Sequence, residues 1–200
     1  FLSSYLELGG NFTQLTPEAI AIKGTATLAA AEVALNGTPI LDRGDWVTDF
    51  QWTGQDLVVQ IFAAPGVTAD GVIATNLQTP VTAASAIRQL NLNVAVEPYD
   101  LNRLQAFVPE NIQAQIQQQV APRLSGPVYP QGQVQFDGTL SGTLTQPQLD
   151  GMAQLDNLAI ASFRFGPTLT GPVDFALGQG GAVDLEGGGD RICARLNERY

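Results

Sequence analysis

The sequence predicts an all-β protein built from an elongated, antiparallel-rich sheet, and two observations support this. Short runs in which apolar and polar residues alternate recur along the chain, and a period of two places alternate side chains on opposite faces of a strand. Turn-forming residues separate the runs at the spacing of a meandering sheet, because 21 glycines and 12 prolines punctuate the 200 residues. No helical segments of the βαβ kind lie between most of the runs.

The alternating runs and the turns can be placed along the chain. The runs contain Trp46 to Trp52, Leu57 to Ile61, Leu90 to Val96, Val134 to Leu140, Leu149 to Leu155, Val173 to Leu177, Val183 to Leu185, and Ile192 to Leu196. We expect turns at Gln146-Pro147-Gln148, Gly166-Pro167, Gly171-Pro172, Gly178 to Gly181, and Gly187-Gly188-Gly189. A loose repeat places a polar residue and a glycine before a strand at Lys23-Gly24, Asp70-Gly71, Asp137-Gly138 and Asp150-Gly151.

One segment has helical rather than strand periodicity. Asp100 is a suitable cap for a helix on which Leu101, Leu104 and Phe107 share a face, and Ile112, Ile116 and Val120 recur four residues apart. The chain is therefore interpreted as a single β-repeat segment with first strands over residues 1–98, a helical insert over 99–122 and second strands over 123–200. The insert either packs across an open end of the sheet or forms a lid.

Composition argues against several classes of function. The net charge is −10 with nine basic residues, so a nucleic-acid partner is not expected. Histidine is absent, which removes the commonest general base and metal ligand, and we expect no enzymatic activity, cofactor or metal. Cys193 is the only cysteine and forms no internal disulfide. No run reaches the ~20 apolar residues of a membrane-spanning helix.

A cluster of acidic and aromatic residues supports an alternative function. Asp42, Asp45 and Asp49 lie near Trp46 and Trp52 in sequence, as in a sugar-binding or sugar-cleaving site. Acidic residues beside a glycine turn are also ordinary. The alternative is a closed β-sandwich that acts as an adhesin or glycan-binding module. Alternation by itself fits both the core of a closed sandwich and the inside of an open trough.

The second half of the chain carries a recognisable order of short motifs. These are Gln131 to Leu144, Pro147 to Gly151, Asn157 to Ile160, Gly166 to Gly171, and the ending Val183 to Gly187 with Asp190-Arg191-Ile192. Together they resemble the repeat of TamB and its AsmA-like relatives, in which G-x-L-x-G-x-L-x-x-P-x-L-x-G recurs along a very long chain. The ending is closest to the cyanobacterial and plastid branch, and the resemblance covers about residues 90–197.

The resemblance implies a fold and a function. The sheet would be a taco-like half-barrel in a piece of a longer protein, anchored in the inner membrane outside this piece and lying in the periplasm or plastid intermembrane space. Its partners would be phospholipid acyl chains and an outer-membrane barrel of the BamA/TamA kind. The function would be lipid movement between membranes and support of outer-membrane protein assembly; a strand-binding scaffold without lipid transport is a second possibility. The lining would contain Leu90, Leu92, Val94, Val96, Val134, Phe136, Leu140, Leu149, Leu155, Val173, Phe175, Leu177, Val183 and Leu185.

Overall fold

The chain folds into strands over nearly all of the part that the structure describes. A computed structural model describes residues 2–10, 20–35, 38–76, 86–103 and 129–196. The strands are β1 (Leu2–Gly10), β2 (Ile20–Leu35), β3 (Thr38–Trp52), β4 (Asp56–Ala64), β5 (Val67–Thr75), β6 (Ile87–Asp100), β7 (Gln131–Gly142), β8 (Pro147–Ile160), β9 (Phe163–Arg164), β10 (Thr168–Ala176), β11 (Gly180–Gly187) and β12 (Asp190–Leu196). The prediction of an all-β protein is confirmed.

The strands form one antiparallel sheet in chain order. The path runs from β1 to β8 and then through β10, β11 and β12, while the short β9 pairs with β8 off the path. Within the described ranges no ladder joins β12 to β1, so the sheet is not closed into a barrel and ends in two edge strands. Nearly all contacts between elements are between hydrogen-bonded neighbours, as expected when local hairpins build the sheet. No helix in these ranges is long and apolar enough to cross a membrane.

The pairing register places one set of apolar residues on a single face of the sheet. Residues that pair directly across antiparallel strands point to the same side. Ile73 pairs with Leu90, Leu92 with Leu140, and Leu140 with Leu149, so one face continues through β5, β6, β7 and β8. The registers of the remaining ladders extend this face to β1 at one edge of the sheet and to β12 at the other. We call this side the apolar face.

A β-bulge changes the alternation inside β4. The register between β3 and β4 shifts after Asp49, so that Asp49 pairs with Ile61 whereas Phe50 pairs with Val59. The prediction that Leu57, Val59 and Ile61 share one face is therefore wrong for Ile61. Ile61 lies opposite Asp49 and is exposed, and Phe62 takes the place on the apolar face instead. A bulge inserts one residue into one strand and so reverses the phase beyond it.

Glycines of the loose repeat lie inside strands and not before them, which corrects the prediction. Gly138 pairs with Gly151 at the centre of the β7–β8 ladder, and both lie on the apolar face. A Cβ at Gly138 would lie 2.6 Å from Cζ of Phe136, and one at Gly151 would lie 2.8 Å from it. The ring of Phe136 therefore covers both glycines. The polar residue before each glycine, such as Asp137, lies on the opposite face.

Replacing Gly138 with Ala is expected to lower the free energy of unfolding by about 1–3 kcal/mol. The new methyl group would overlap the carbonyl oxygen of Asp150 and press on the ring of Phe136. Gly9→Ala is the matched control, because nothing lies within 4 Å of a Cβ there. Urea unfolding of both variants measures the effect. Equal stability of Gly138→Ala and wild type would show that the glycine pair is not close-packed.

Two further sequence predictions are corrected by β10 and β6. Gly171-Pro172 was expected to form a turn but lies within β10, where Pro172 pairs with Met152 of β8. In the ladder between β10 and β11, Thr170 and Val173 are paired, but the two residues between them are not. This interruption is consistent with the missing N–H of Pro172. Residues 99 and 100, assigned to the helical insert, are the last two residues of β6.

The rest of the predicted insert lies mostly outside the described residues. Residues 101–103 form a single 3-10 turn, and residues 104–122 are not described. Asp100 does cap this turn, since its Oδ1 accepts hydrogen bonds from the backbone N and from Nδ2 of Asn102, at 2.9 Å and 2.8 Å. Leu101, predicted to belong to the apolar stripe of the insert, is 6% exposed and packs onto the apolar face.

The packed core lies at the C-terminal end of the apolar face. Its buried members are Leu101, Ala153, Leu158, Leu169 and Leu185, and half-buried neighbours such as Val134, Phe136 and Val173 surround them. Leu169 is 0% exposed.

Candidate functional site

The apolar face is the candidate site, and it contains thirteen of the fourteen predicted lining residues. The register places Leu90 to Val96 of β6, Val134 to Leu140 of β7, Leu149 and Leu155 of β8, Val173 and Phe175 of β10, and Val183 and Leu185 of β11 on this one side. The fourteenth, Leu177, lies just beyond β10 in the turn and is 45% exposed. The structure thus brings together residues up to 95 positions apart in the sequence.

The exposure of these side chains differs along the face. Leu90 and Leu185 are buried, at 6% and 2% exposed, while Phe175 is 38% exposed. The remaining ten in strands are half-buried: Leu92, Val94, Val96, Val134, Phe136, Leu140, Leu149, Leu155, Val173 and Val183. Half-burial is what neighbouring side chains of one layer give each other without a second layer above them. Apolar surface therefore remains accessible between the rows.

The sequence-based lining missed the N-terminal half of the same face. Trp52 pairs with Leu57, Phe50 with Val59, and Leu57 with Ile73, which joins these residues to the rows around Leu90. Their alternation was visible in the sequence, but no local signal showed that β3 and β4 share a sheet with β6. Only the register of the paired strands shows that the N-terminal and C-terminal halves of the sheet share one apolar face.

The apolar face also carries two aromatic residues with polar groups, Trp46 of β3 and Tyr99 of β6. Trp46 pairs with Leu28 and Tyr99 with Val134, so both belong to the apolar face. The ring of Trp46 contacts Phe62 edge to face, with centroids 6.0 Å apart.

A cleft of about 180 Å³ opens beside Tyr99, near the end of β6. Arg103 contacts two other residues of the cleft lining. Its Nη1 forms an ion pair with Oδ1 of Asp42 at 2.8 Å, and its guanidinium lies 5.8 Å from the ring centroid of Tyr99. Burial raises the pKa of the Tyr99 hydroxyl, so this group remains a neutral donor at physiological pH. Glu97 and Asp100 complete the acidic part of the cleft lining.

The opposite side of the sheet, which we call the polar face, carries most of the polar side chains, although Ile61, Val72 and Met152 also lie exposed on it. In β7, β8 and β10 its polar groups are hydrogen-bonded across strands. Asp156 accepts hydrogen bonds from Nε2 of Gln154 at 2.9 Å, from Oγ1 of Thr168 at 2.7 Å and from Nε2 of Gln135 at 3.4 Å. These bonds connect β7, β8 and β10. The bond from Gln154 is the main cause of the lowered pKa of Asp156, with Thr168 next and partial burial opposing them.

Asp156→Asn is expected to lose stability in a pH-dependent way. A carboxyl group whose pKa is lower when folded stabilises the protein above its unfolded pKa, about 3.9, and that stabilisation disappears as the pH falls through the folded pKa. The difference in urea midpoint between wild type and Asp156→Asn should therefore be constant from about pH 5 to 7 and shrink below about pH 4. A difference that stays constant down to about pH 2.5 would contradict the role of the ionised carboxylate.

The acidic cluster predicted from sequence does not converge into a site. Asp42 pairs with Arg103, Oδ1 of Asp45 accepts from the backbone N of Ala30 at 3.0 Å, and Oδ1 of Asp49 accepts from Oγ1 of Thr25 at 2.5 Å. Each carboxylate thus has a separate structural partner along β3. Within the ranges that the structure describes, no group of three or more acidic or cysteine side chains is placed to hold a metal ion.

Cys193 and its basic neighbours lie on the polar side of β12. The thiol is exposed, and Arg191 is engaged with Asp184 of β11 through bonds of 2.7 Å from Nε and 2.5 Å from Nη2. This ion pair lowers the pKa of Asp184. At the exposed edge of the sheet the pair joins β11 to β12, which is a structural role.

Comparison of the chain with protein-family models, with curated proteins and with solved structures found no match. Function must therefore be inferred from the sheet itself.

Proposed function

We propose that the chain is a segment of a lipid conduit, in which the sheet curves into a half-barrel trough and the apolar face takes up acyl chains. In this proposal the segment belongs to an envelope protein of the TamB type in the periplasm or plastid intermembrane space. The parent protein is anchored in the inner membrane and works with a BamA/TamA-like barrel. Phospholipids move along the apolar face between the two membranes, and outer-membrane protein biogenesis depends on that supply.

The continuity of the apolar face is the observation that carries the proposal. Apolar residues pair with apolar residues or glycines on most ladders from β1 to β12, and within the described ranges no second sheet lies against them. Monomeric soluble proteins rarely expose an apolar patch above a few hundred Å² unless something binds there. An amphiphile whose chains lie along the face would cover it.

The energetics suit a mobile cargo. An acyl chain gains about 0.8 kcal/mol for each buried methylene, so ten methylenes contribute about 8 kcal/mol before the costs of binding. Branched and aromatic side chains such as Val94, Leu92 and Phe136 offer similar dispersion contacts at each step along the sheet. Because these contacts are not directional, the free energy changes little when the chain slides by one strand.

Native mass spectrometry of the purified chain, with organic extraction of bound material, tests this function. We expect one or more phospholipids to remain bound at a defined stoichiometry, and an emptied sample to take up added phosphatidylcholine. A protein that is empty when purified and refuses added lipid would overturn the proposal. A matched polar-face variant, Ser141→Asp, should retain lipid as the wild type does.

The two edge strands favour a second candidate function. Among the strands that the structure describes, β1 and β12 each have one neighbour, and the outer side of such an edge strand presents unpaired backbone N–H and C=O groups. A client strand can add to such an edge through backbone hydrogen bonds, as in strand-addition chaperones. Photocrosslinkers in β12 should then capture unfolded outer-membrane barrel proteins in cells. Capture from β6 at the same yield would argue against edge recognition.

A further inference from the structure

Three carboxylates of the polar face lie around an exposed methionine. Met152 of β8 is 53% exposed, and it pairs with Asp137 of β7 on one side and with Pro172 of β10 on the other. Two residues away along β8 and β10, Asp150 pairs directly with Asp174. The side chains of Asp137, Asp150 and Asp174 are all exposed. We call these five residues the acidic patch.

No cation in the described part of the chain balances the carboxylates of the acidic patch. Asp156 accepts three hydrogen bonds and Asp184 pairs with Arg191, but no described ion pair or side-chain hydrogen bond engages the three patch carboxylates. Like charges directly opposite each other destabilise a ladder, so the Asp150–Asp174 pair weakens the sheet unless a bound cation offsets it. Strands β7, β8, β10 and β11 contain no lysine or arginine and six acidic residues: Asp137, Asp150, Asp156, Asp174, Asp184 and Glu186.

A cleft opens on each side of Met152. The first has a volume of about 430 Å³ and is lined by Ala95 and Asp137, which pair with each other across β6 and β7. The second has a volume of about 350 Å³ and is lined by Pro172 and Glu186. Met152 lines both clefts, so its side chain forms a ridge between them. The polar face thus offers an apolar contact at this point with carboxylates beside it.

The spread of the charges favours a chain-like cation over a metal ion. Within the described ranges no group of three or more acidic or cysteine side chains is placed to hold a metal. Neighbouring strands lie about 4.8 Å apart and alternate residues of a strand about 7 Å apart, so the carboxylates match the spacing of side chains on an extended peptide. Nucleic acids and anionic membrane surfaces would be repelled.

From these observations we propose that the acidic patch binds a basic segment of a partner protein, in which an apolar side chain stands between lysines or arginines. The apolar side chain packs on Met152 and Pro172. The flanking cations form ion pairs with Asp137, Asp150 and Asp174. This site lies on the face opposite the one assigned to lipid, and it does not depend on the lipid function. The partner therefore binds whether or not the apolar face is occupied.

Fluorescence anisotropy with labelled peptides tests the proposal on the full chain. The probe is Lys-Lys-Leu-Lys-Lys, and Lys-Lys-Ser-Lys-Lys and Glu-Glu-Leu-Glu-Glu are its counterparts without the apolar anchor and without the cations. We expect the first peptide to bind and the acidic peptide not to bind. The serine peptide should bind about threefold more weakly, because it buries less apolar surface. Binding should weaken at about 1 M salt, where surface ion pairs are screened.

Variants of the patch separate its two contributions. Asp150→Asn/Asp174→Asn should lower the affinity for Lys-Lys-Leu-Lys-Lys by about tenfold, the value of two surface ion pairs. The same variant should have a higher urea midpoint than wild type, because the like-charge pair is gone. Met152→Gln should lower the affinity for the leucine peptide by about threefold and leave that for the serine peptide unchanged.

Glu32→Gln/Asp56→Asn is the control, because it removes the same charge from β2 and β4, outside the acidic patch. It should bind the peptide as wild type does. Equal affinity of wild type and Asp150→Asn/Asp174→Asn would overturn the proposal. An equal loss in the control would do so too, since net charge alone would then explain binding. Binding of Ca²⁺ by wild type without any binding of the peptide would show that the ligand is an ion and would likewise overturn it.

Discussion

Phe136→Asp should abolish phospholipid retention while the sheet remains folded. Phe136 is half-buried at the centre of the apolar face, where its ring covers Gly138 and Gly151. A carboxylate there would have to lose its water to a passing acyl chain, and burying an unpaired charge is far more costly than the gain from a few methylenes. Lipid bound per protein, measured by native mass spectrometry, should fall to background.

The stability of the same variant separates an open face from a closed core. On an uncovered face the carboxylate stays hydrated when no lipid is present, and the expected loss is about 2 kcal/mol from lost packing of the ring. Inside a closed sandwich the loss would exceed about 4 kcal/mol and prevent folding. Urea unfolding measures this loss, and Ser141→Asp on the polar side of the same strand supplies a control with equal added charge.

Leu169→Ala is expected to have the largest effect on folding. Leu169 of β10 is 0% exposed and belongs to the core cluster with Ala153, Leu158 and Leu185. Removing three carbon atoms from a fully buried leucine leaves a cavity, which typically costs about 3 kcal/mol. Urea denaturation should show a lower midpoint with an unchanged slope, since the same surface is exposed on unfolding.

Leu144→Ala provides the matched control for this core prediction. Leu144 lies between β7 and β8 and is 42% exposed, so its truncation should cost less than about 1 kcal/mol. Similar losses for both variants would show that the C-terminal end of the apolar face has no tight core. The lipid proposal would then need a more uniformly open sheet than the one described.

The strands themselves were predictable because alternation is a local signal. Leu90 to Val96 and Val134 to Phe136 showed it clearly, and the structure places them in β6 and β7 on one face. The turns after Gly178 and Gly187 followed equally from local chemistry, since Gly178, Gly188 and Gly189 have the positive φ angles that glycine adopts without strain.

Other features depended on contacts that no local pattern contains. Asp137-Gly138 and Asp150-Gly151 were expected to precede strands, but the glycines lie inside β7 and β8 and pair with each other beneath Phe136, and only the tertiary register shows this. Pro172 was expected to break a strand and instead occupies an interruption of the β10–β11 ladder. The sequence also could not show that Nε1 of Trp46 and the hydroxyl of Tyr99 are buried without a hydrogen-bond partner, because such pairing depends on the folded surroundings.

Openness of the face was also beyond the sequence. The same alternation lines a closed sandwich or an open trough, and the difference lies in whether a second layer covers the residues. Among the residues that the structure describes, β1 to β12 follow one another in a single sheet that is not closed into a barrel, with β9 paired to β8 off the path.

Site-specific photocrosslinking at two adjacent residues of β6 tests the central claim most directly. A photoreactive amino acid at Leu92 would lie on the apolar face, and one at Asn91 would lie on the polar face of the same strand. After irradiation of protein carrying bound phospholipid, intact-mass analysis should show a lipid adduct with the Leu92 substitution and none with the Asn91 substitution. Equal labelling at both positions, or labelling at Asn91 alone, would contradict acyl-chain binding by the apolar face.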